Sequence, residues 1–247
     1  AIENGFTYQA GASTGKKVAV IGGGPAGMAA AYQLRRMGHD ATVFEERAEL
    51  GGMMRYGIPG YRIPREKLAA EINRIVDMGV EVKTSTRVGK DISVDQLEKD
   101  FDAVLWALGC WTGRGLPVDG WETASNCVDG LSFLEAFNNG RMKVTGKKLV
   151  CIGGGDTSID VVSVARRIGF NADAGLPEDI LNNNETHDQS LADNAVPCDA
   201  TLTSLFTKDK MMAAEHEIVD ATEEGVTIYD GVMPLEVILG DDGRATG

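Results

Sequence analysis

Short apolar runs alternate with amphipathic stretches along most of the 247-residue chain, a pattern typical of strands that alternate with helices. Strands are predicted at 18–21, 41–45, 80–84, 102–109, 148–152, 201–206, 225–229 and 235–239. Helices are predicted at 25–37, 65–78, 94–100, 131–138 and 211–222, and a further helix after residue 155 is predicted to end at 168. Apolar strands joined through helices build parallel sheets covered on both faces, so the pattern predicts an α/β fold.

The first strand leads directly into a glycine motif. Gly22, Gly24 and Gly27 have the spacing G-x-G-x-x-G. In this motif the first glycine permits a tight turn, the second lets the backbone approach a pyrophosphate, and the third lets helix and strand pack closely. The N–H groups at the start of the helix suit a phosphate. The next strand ends at Glu45, whose carboxylate can accept hydrogen bonds from a ribose, so this unit is predicted to bind a dinucleotide.

A weaker copy of the motif follows the strand at 148–152. Gly153 and Gly155 match the first two glycines, and Ser158 stands in place of the third. Because serine is small, we expect the close packing of helix on strand to be weakened but kept. Asp156 is expected to cap the helix, although its charge does not favour a phosphate. Two such units predict two dinucleotide sites in one chain.

Residues 50–60 form a second glycine-rich stretch, with four glycines in eleven residues. This stretch also carries Met53, Met54, Tyr56 and Ile58. A flexible surface loop would be more polar than this. The composition therefore favours a backbone that is held against a flat, apolar ligand.

The formal net charge of −13 does not favour nucleic acid or an anionic membrane as a partner, because both require a basic face. No apolar run approaches the ~20 residues of a membrane-spanning helix, and the N-terminus lacks the features of a signal peptide. The four cysteines include no C-x-x-C pair, and the three histidines are scattered. These features predict a cytoplasmic protein with reduced thiols and no metal site.

The predicted organisation is an N-terminal arm at 1–15, the first part of one domain at 16–125, a connection at 126–146 and a second domain at 147–247. The second domain contains a polar insertion near 170–197, which is much longer than ordinary helix–strand connections. This insertion is either a solvated loop or a binding surface.

With these motifs the chain resembles the FAD- and NAD(P)H-binding part of the glutamate synthase small subunit family, among flavoproteins with two Rossmann-like dinucleotide-binding domains. The matching segments are 22–27, Glu45, 51–59, 102–109, 153–160, 224–226 and Pro234. The resemblance implies FAD in the first domain and NADH or NADPH in the second. Family members pass a hydride from nicotinamide to flavin and then electrons to iron–sulfur clusters, so the resemblance implies iron–sulfur or other redox subunits as partners.

The resemblance also implies which residues hold the cofactors, without any catalytic acid or base. In the FAD domain they are Gly22, Gly24, Pro25, Ala26, Gly27, Glu45, Glu46, Gly51, Gly52, Met53, Arg55, Ile58, Val88, Ala107 and Gly109. In the nucleotide domain they are Gly153, Gly155, Asp156, Thr157, Ser158, Thr207 and Lys208.

The chain departs from the family's pattern in three places. It lacks the cysteine-rich N-terminal region and the C-terminal return to the FAD domain, so we expect an incomplete FAD domain with weakened FAD binding in a fragment of a longer subunit. The family's paired arginines after the second strand of the second domain are replaced by Phe-Thr-Lys-Asp-Lys at 206–210. Asp209 can accept a ribose 2′-hydroxyl, whereas Lys208 and Lys210 favour a 2′-phosphate, and this balance favours NADH slightly.

Two other functions stay open at this point. One is a dithiol reductase, although the missing C-x-x-C pair is evidence against it. The other is a non-catalytic nucleotide-binding or assembly subunit, which is compatible with the incomplete FAD domain and the polar insertion. A flavin spectrum that is bleached by NADH would separate the enzyme from the assembly subunit.

Overall fold

The computed structural model describes residue 5 and residues 7–174 and 188–247. The chain divides into two compact units, Ala1–Cys110 and Trp111–Gly247, which we call unit 1 and unit 2. The domain boundaries expected from the sequence stay predictions. No helix within the described ranges is both long and apolar enough to cross a membrane.

Unit 1 is built on a four-stranded parallel sheet with the order β3-β2-β1-β4. Its strands are β1 (Lys17–Ile21), β2 (Asp40–Phe44), β3 (Glu81–Lys83) and β4 (Ala103–Trp106). Its helices are α1 (Pro25–Arg36), α2 (Met53–Tyr56), α3 (Arg65–Val76) and α4 (Val94–Asp100). The strand order reverses between β1 and β4, and in parallel α/β sheets ligands bind at such a reversal, beyond the carboxyl ends of the strands.

The two central strands of unit 1, β1 and β2, are buried on both faces of the sheet. On one face Val20 packs in a cluster with Met28 of α1 and Ile72 of α3. On the other face Phe44 packs in a cluster with Leu97 of α4. Burial on both faces is why these strands are nearly continuous apolar runs rather than alternating ones.

The residues before β1 pack along α1 without forming a helix or a strand in the described range 7–15. The Gly11 N–H donates to the Arg35 carbonyl and the Thr14 N–H donates to the Gly38 carbonyl, each at 2.9 Å. The rings of Tyr8 and Tyr32 lie 4.7 Å apart. This arm therefore takes its conformation from the helix that it covers.

Unit 2 repeats the arrangement with a three-stranded parallel sheet of order β5-β6-β7. Its strands are β5 (Lys148–Ile152), β6 (Asp199–Thr203) and β7 (Thr227–Tyr229). Its helices are α5 (Gly130–Asn138), α6 (Asp156–Ile168), α7 (Gln189–Asp193) and α8 (Glu215–Glu223), with a 3₁₀ turn at Lys208–Lys210. Leu134 of α5, Val162 of α6 and Leu202 of β6 are fully buried in one core cluster.

The strand predicted at 235–239 is wrong. Glu236 pairs only with Asp119, and Leu239 pairs only with Ala245, each through an isolated bridge. The segment is apolar, as a strand would be, but a strand also needs a continuous ladder of paired residues along its length. Here two different loops each form a single bridge with the segment.

The helix predicted at 211–222 starts later, at Glu215. The preceding residues are tied to the second glycine loop, because the Ala213 N–H donates to the Gly154 carbonyl at 3.0 Å. The predicted insertion near 170–197 falls partly on residues 175–187, which lie outside the described residues. Its last part contains the short helix α7.

Candidate dinucleotide-binding sites

The first glycine motif packs so closely that its first and third glycines, Gly22 in the loop and Gly27 in α1, admit no side chain. Gly22 has a φ of 110°, which favours glycine, and a Cβ there would collide with the Ala107 carbonyl. A Cβ on Gly27 would collide with the Gly22 carbonyl. The fold itself therefore requires the first and third glycines of this motif.

Gly24 is different, because the fold does not require a glycine at this position. Its φ is −79°, and a Cβ there would lie 3.6 Å from its nearest neighbour, the Cα of Gly52. Gly24 is the N-cap of α1, Pro25 is the first helical residue, and Ala26 and Gly27 follow. An open glycine before the first N–H groups of a helix leaves room for a phosphate.

Glu45 follows β2 and is only 7% exposed. Its Oε2 accepts a hydrogen bond from the Gly23 N–H at 2.7 Å, and its Oε1 accepts one from the Arg47 N–H at 2.9 Å. A carboxylate has about four lone-pair sites, so acceptor capacity remains for ribose hydroxyls. Glu46 instead forms an exposed ion pair with Arg87 at 3.6 Å.

The glycine-rich stretch at 50–60 lies directly on the first glycine loop. The Gly51 N–H donates to the Gly23 carbonyl at 2.9 Å. Gly51 and Gly52 both have positive φ, 126° and 51°, and a Cβ on Gly52 would lie 2.7 Å from the Cα of Gly24. The structure thus brings two of the predicted segments together, with the partly exposed Met53 starting α2 just beyond them.

Arg55 is held within its own loop. Its Nε donates to the Leu50 carbonyl at 2.7 Å, and its guanidinium pairs with Glu49 at 3.0 Å. Its side chain is 14% exposed. The guanidinium therefore stabilises the loop conformation. The apolar side chains of Met53 and Ile58 in the same loop are partly exposed.

Arg65 organises the same loop, although no pattern in the sequence singles it out. Its guanidinium donates to the carbonyls of Met54, Ile58 and Ile63 at 2.9, 2.7 and 3.1 Å. Burial lowers the pKa of Arg65 from its ordinary value. An arginine at a helix start looks like a solvated residue in sequence, so no local signal would have found this role.

The chain that leaves β4 passes the first glycine loop. The Ala107 N–H donates to the Ile21 carbonyl at 2.8 Å, and Gly109 turns the chain with a φ of 68°. Val88 is partly buried against the core cluster that contains Leu97, and its segment passes Glu45, because the Thr86 N–H donates to the Glu45 carbonyl at 2.9 Å. The predicted residues around Gly22, Glu45, Gly52 and Ala107 therefore gather at one edge of the sheet.

The second glycine loop, between β5 and α6, has a looser structure. Gly153 has a φ of 148°, and its N–H donates to the Thr203 carbonyl at 2.8 Å. A Cβ on Gly155 would meet nothing within 4 Å, and its φ of −103° suits any residue. Ser158 lies beside Gly153, and its hydroxyl is hydrogen-bonded to the Cys151 thiol.

Asp156 does not cap its own helix, so that prediction is wrong. Gly155 is the N-cap of α6, and no side chain caps this helix. The Asp156 Oδ1 instead accepts a hydrogen bond from the Ala214 N–H at 3.1 Å, at the start of α8. Its neighbour Thr157 lies exposed in the first turn of α6. The carboxylate is thus engaged with a remote backbone segment.

The residues after β6 form an exposed rim beside the second glycine loop. Thr207 precedes the 3₁₀ turn at Lys208–Lys210. The Lys208 N–H donates to the Asp230 Oδ2 at 2.8 Å, so Asp230, which the sequence analysis missed, fixes this turn. Ser204, which directly follows β6, was also not predicted as a site residue, and it is only 1% exposed. Among the described residues, no group of three or more His, Cys, Asp and Glu side chains is placed to hold a metal ion.

Two parallel-sheet units, each with a glycine loop between its first strand and first helix, define the class of this protein. It is an α/β protein with two Rossmann-like dinucleotide-binding units. A family model for pyridine nucleotide-disulphide oxidoreductases matches residues 16–238. The chain belongs to this family.

Curated relatives agree with this assignment. The chain is 36% identical over 236 residues to the NADPH-Fe(3+) oxidoreductase subunit beta of Geobacter sulfurreducens, covering 94% of this chain and 31% of the relative. It is 41% identical over 232 residues to the NAD-dependent dihydropyrimidine dehydrogenase subunit PreT of Salmonella typhimurium, covering 93% and 49%. It is 39% identical over 168 residues to the Glutamate synthase [NADPH] small chain of Mycobacterium tuberculosis, covering 63% and 34%. The chain spans half or less of the length of these relatives.

Among solved structures, the chain resembles Mycobacterium tuberculosis FprA in complex with NADPH, with a TM-score of 0.65 and 16% identity, covering 85% of this chain and 48% of that one. At this identity the likeness concerns the fold alone. Together these comparisons confirm the predicted α/β fold with two Rossmann-like units and the predicted resemblance to the glutamate synthase small subunit family.

Proposed function

We propose that this chain is the FAD- and NAD(P)H-binding part of an electron-input subunit of a larger oxidoreductase. Unit 1 holds FAD and unit 2 holds NADH or NADPH. The observation that carries the proposal is the open second glycine of each loop, Gly24 and Gly155. The fold requires neither of them, and each precedes the first N–H groups of a helix.

In unit 1 the chain supplies a polar cradle for a dinucleotide. Ala26 and Gly27 lie in the first turn of α1, directly after the open Gly24, where backbone N–H groups have no acceptor within the helix, and a pyrophosphate fits such a helix start. Glu45 is fixed by two backbone N–H groups and keeps acceptor capacity for ribose hydroxyls. Gly51 and Gly52 close the second side without any side chain. These residues fit FAD.

In unit 2 the corresponding cradle is Gly153, Gly155 and the first turn of α6 with Thr157 and Ser158. The Asp156 Oδ1 accepts a hydrogen bond from the Ala214 N–H, so this carboxylate oxygen is directed at the backbone of residue 214 rather than at a phosphate. Thr207 and Lys208 form the rim. Asp209 keeps the small preference for NADH that the sequence suggests, with Lys208 and Lys210 opposing it.

When bound, the nicotinamide nucleotide would supply hydride-transfer chemistry, and FAD would supply the conversion from hydride transfer to one-electron transfer. The chain's own residues bind and orient, and we assign no proton transfer to any side chain. The relatives are named as subunits, beta chains or small chains of redox enzymes, which supports redox subunits as partners. The four free cysteines support the cytoplasm as location.

The test is a titration of the purified chain with FAD, followed by NADH under anaerobic conditions. After unbound FAD has been removed by gel filtration, we expect the protein to retain flavin absorbance bands that bleach on addition of NADH or NADPH. A matched chain with Gly24→Val should lose the flavin bands, because the side chain fills the phosphate space. A wild-type chain that stays colourless with excess FAD, or a bound flavin that neither nucleotide bleaches, would contradict the proposal.

A further inference from the structure

The first two strands of each unit can be aligned residue by residue through their strand registers. In unit 1, β1 pairs with β2 from Lys17–Asp40 to Ile21–Phe44. In unit 2, β5 pairs with β6 from Lys148–Asp199 to Ile152–Thr203. Both ladders are five residues long and start with lysine opposite aspartate. The residue after β2 is Glu45 and the residue after β6 is Ser204, so these two positions correspond.

The local contacts agree with this correspondence. The Glu45 carboxylate accepts the N–H of the residue two positions later, Arg47, at 2.9 Å. The Ser204 hydroxyl accepts the N–H of the residue two positions later, Phe206, at 3.1 Å. Glu45 bonds the middle glycine of its loop, and a Cβ on Gly154, the equivalent glycine, would lie 2.5 Å from the Ser204 Oγ. Ser204 thus takes the place of the acidic residue.

The chemical difference bears on the choice of nucleotide. A carboxylate at this position accepts a hydrogen bond from a free ribose 2′-hydroxyl and repels a 2′-phosphate. A serine hydroxyl is neutral and does neither strongly. The charged side chains of the adjoining rim are balanced, with Lys208 and Lys210 against Asp209 and Asp230, and residues 204–210 contain no arginine to pair with a phosphate.

Building on the proposed function, we propose that Ser204 sets the strength of nucleotide selection in unit 2. With serine there, unit 2 accepts both NADH and NADPH and separates them by less than about tenfold in affinity. The small preference of Asp209 for NADH lies within this range. A carboxylate at position 204 would make the site strict for NADH.

The experiment measures binding by calorimetry on the FAD-saturated chain, so that the cradle of unit 1 is occupied and no turnover is required. The probes are ADP-ribose and 2′-phospho-ADP-ribose, which differ only in the 2′-phosphate. The variants are Ser204→Asp and the neutral control Ser204→Asn. For wild type we expect dissociation constants within about tenfold of each other.

For Ser204→Asp we expect binding of the phosphorylated probe to fall by about tenfold or more, while ADP-ribose binding changes less than about threefold. Ser204→Asn should affect both probes equally. A wild-type ratio of tenfold or more would overturn the proposal and needs no variant to fold. Equal weakening of both probes by Ser204→Asp, or no change in either, would overturn it as well. Failure of wild type to bind either probe would contradict the proposed function instead.

Discussion

The two glycine loops have nearly the same spacing but different packing. In unit 1 the helix lies so close to its strand that a Cβ on Gly27 would collide with the Gly22 carbonyl. In unit 2 the equivalent residue is Ser158, whose side chain fits between Gly153 and Cys151. The residue types at the first and third positions of the motif are therefore set by how closely helix and strand pack in each unit. The second position, Gly24 or Gly155, is glycine in both units without a steric need in either, so we attribute it to the ligand.

The largest expected effect concerns this third position. Gly27→Ala should lower the free energy of unfolding by about 3 kcal/mol, the upper part of the overpacking range, although alanine is the better helix former. Ser158→Ala should change it by less than about 1 kcal/mol, since only a hydroxyl is removed. Urea unfolding of both variants measures this. A Gly27→Ala protein as stable as wild type would show that the two loops pack alike.

The next prediction concerns the loop that unit 1 adds beside its glycine motif. Arg65→Lys should lower the free energy of unfolding by about 2 kcal/mol, because one ammonium cannot serve the carbonyls of Met54, Ile58 and Ile63 together. The same variant should weaken FAD binding more than ADP-ribose binding, since the latter is assigned to unit 2. Fluorescence titration with each ligand tests this, and equal losses would refute the separation of the sites.

A smaller effect is expected from Glu45→Gln. The amide retains one acceptor oxygen for two backbone donors, Gly23 and Arg47, so we expect a loss of about 1–2 kcal/mol in stability. Urea unfolding checks this value, and Ser204→Ala in unit 2 is the matched comparison. Ser204→Ala should cost less, because it removes the acceptor of one N–H only. The reverse order would show that the two positions are not equivalent.

The smallest effect concerns the strands under the two loops. Cys151 of β5 stands where β1 has Val20, and burial raises the pKa of the Cys151 thiol to about 11. Because the unfolded chain ionises this thiol at lower pH than the folded chain, stability should fall as pH rises above about 9. We expect Cys151→Val to reduce this fall by about 1 kcal/mol at pH 10. Chemical unfolding at pH 8 and pH 10 tests this. An equal loss of unfolding free energy between the two pH values in wild type and in Cys151→Val would contradict it.

The sequence predicted the local parts of this fold well, because they depend on local patterns. The strand at Lys148–Ile152, the helix at Val94–Asp100 and the C-terminal end of the helix at Asp156–Ile168 follow from apolar spacing and from glycines at the ends of elements. The expected strand at 235–239 failed because pairing partners are non-local. The start of α8 was misplaced because Ala213 and Ala214 bond to residues about sixty positions away.

The candidate sites were predictable to the same extent. The glycine motifs and Glu45 carry a recognisable pattern in one sequence. Ser204 does not, because a small polar residue after a strand is common, and only the strand registers show that its position in unit 2 is equivalent to that of Glu45 in unit 1. Arg65 was missed because its partners are backbone carbonyls, which no sequence pattern reveals.

The assignment of one ligand to each unit is tested most directly by a crossed titration of Gly24→Ala and Gly155→Ala. Both variants should fold as stably as wild type within about 0.5 kcal/mol, because neither new Cβ meets a close neighbour. We expect Gly24→Ala to weaken FAD binding by about tenfold or more with ADP-ribose binding unchanged. We expect Gly155→Ala to weaken ADP-ribose binding by about tenfold or more with FAD binding unchanged. If either variant weakens both ligands equally, or if each weakens the other unit's ligand, the assignment is wrong.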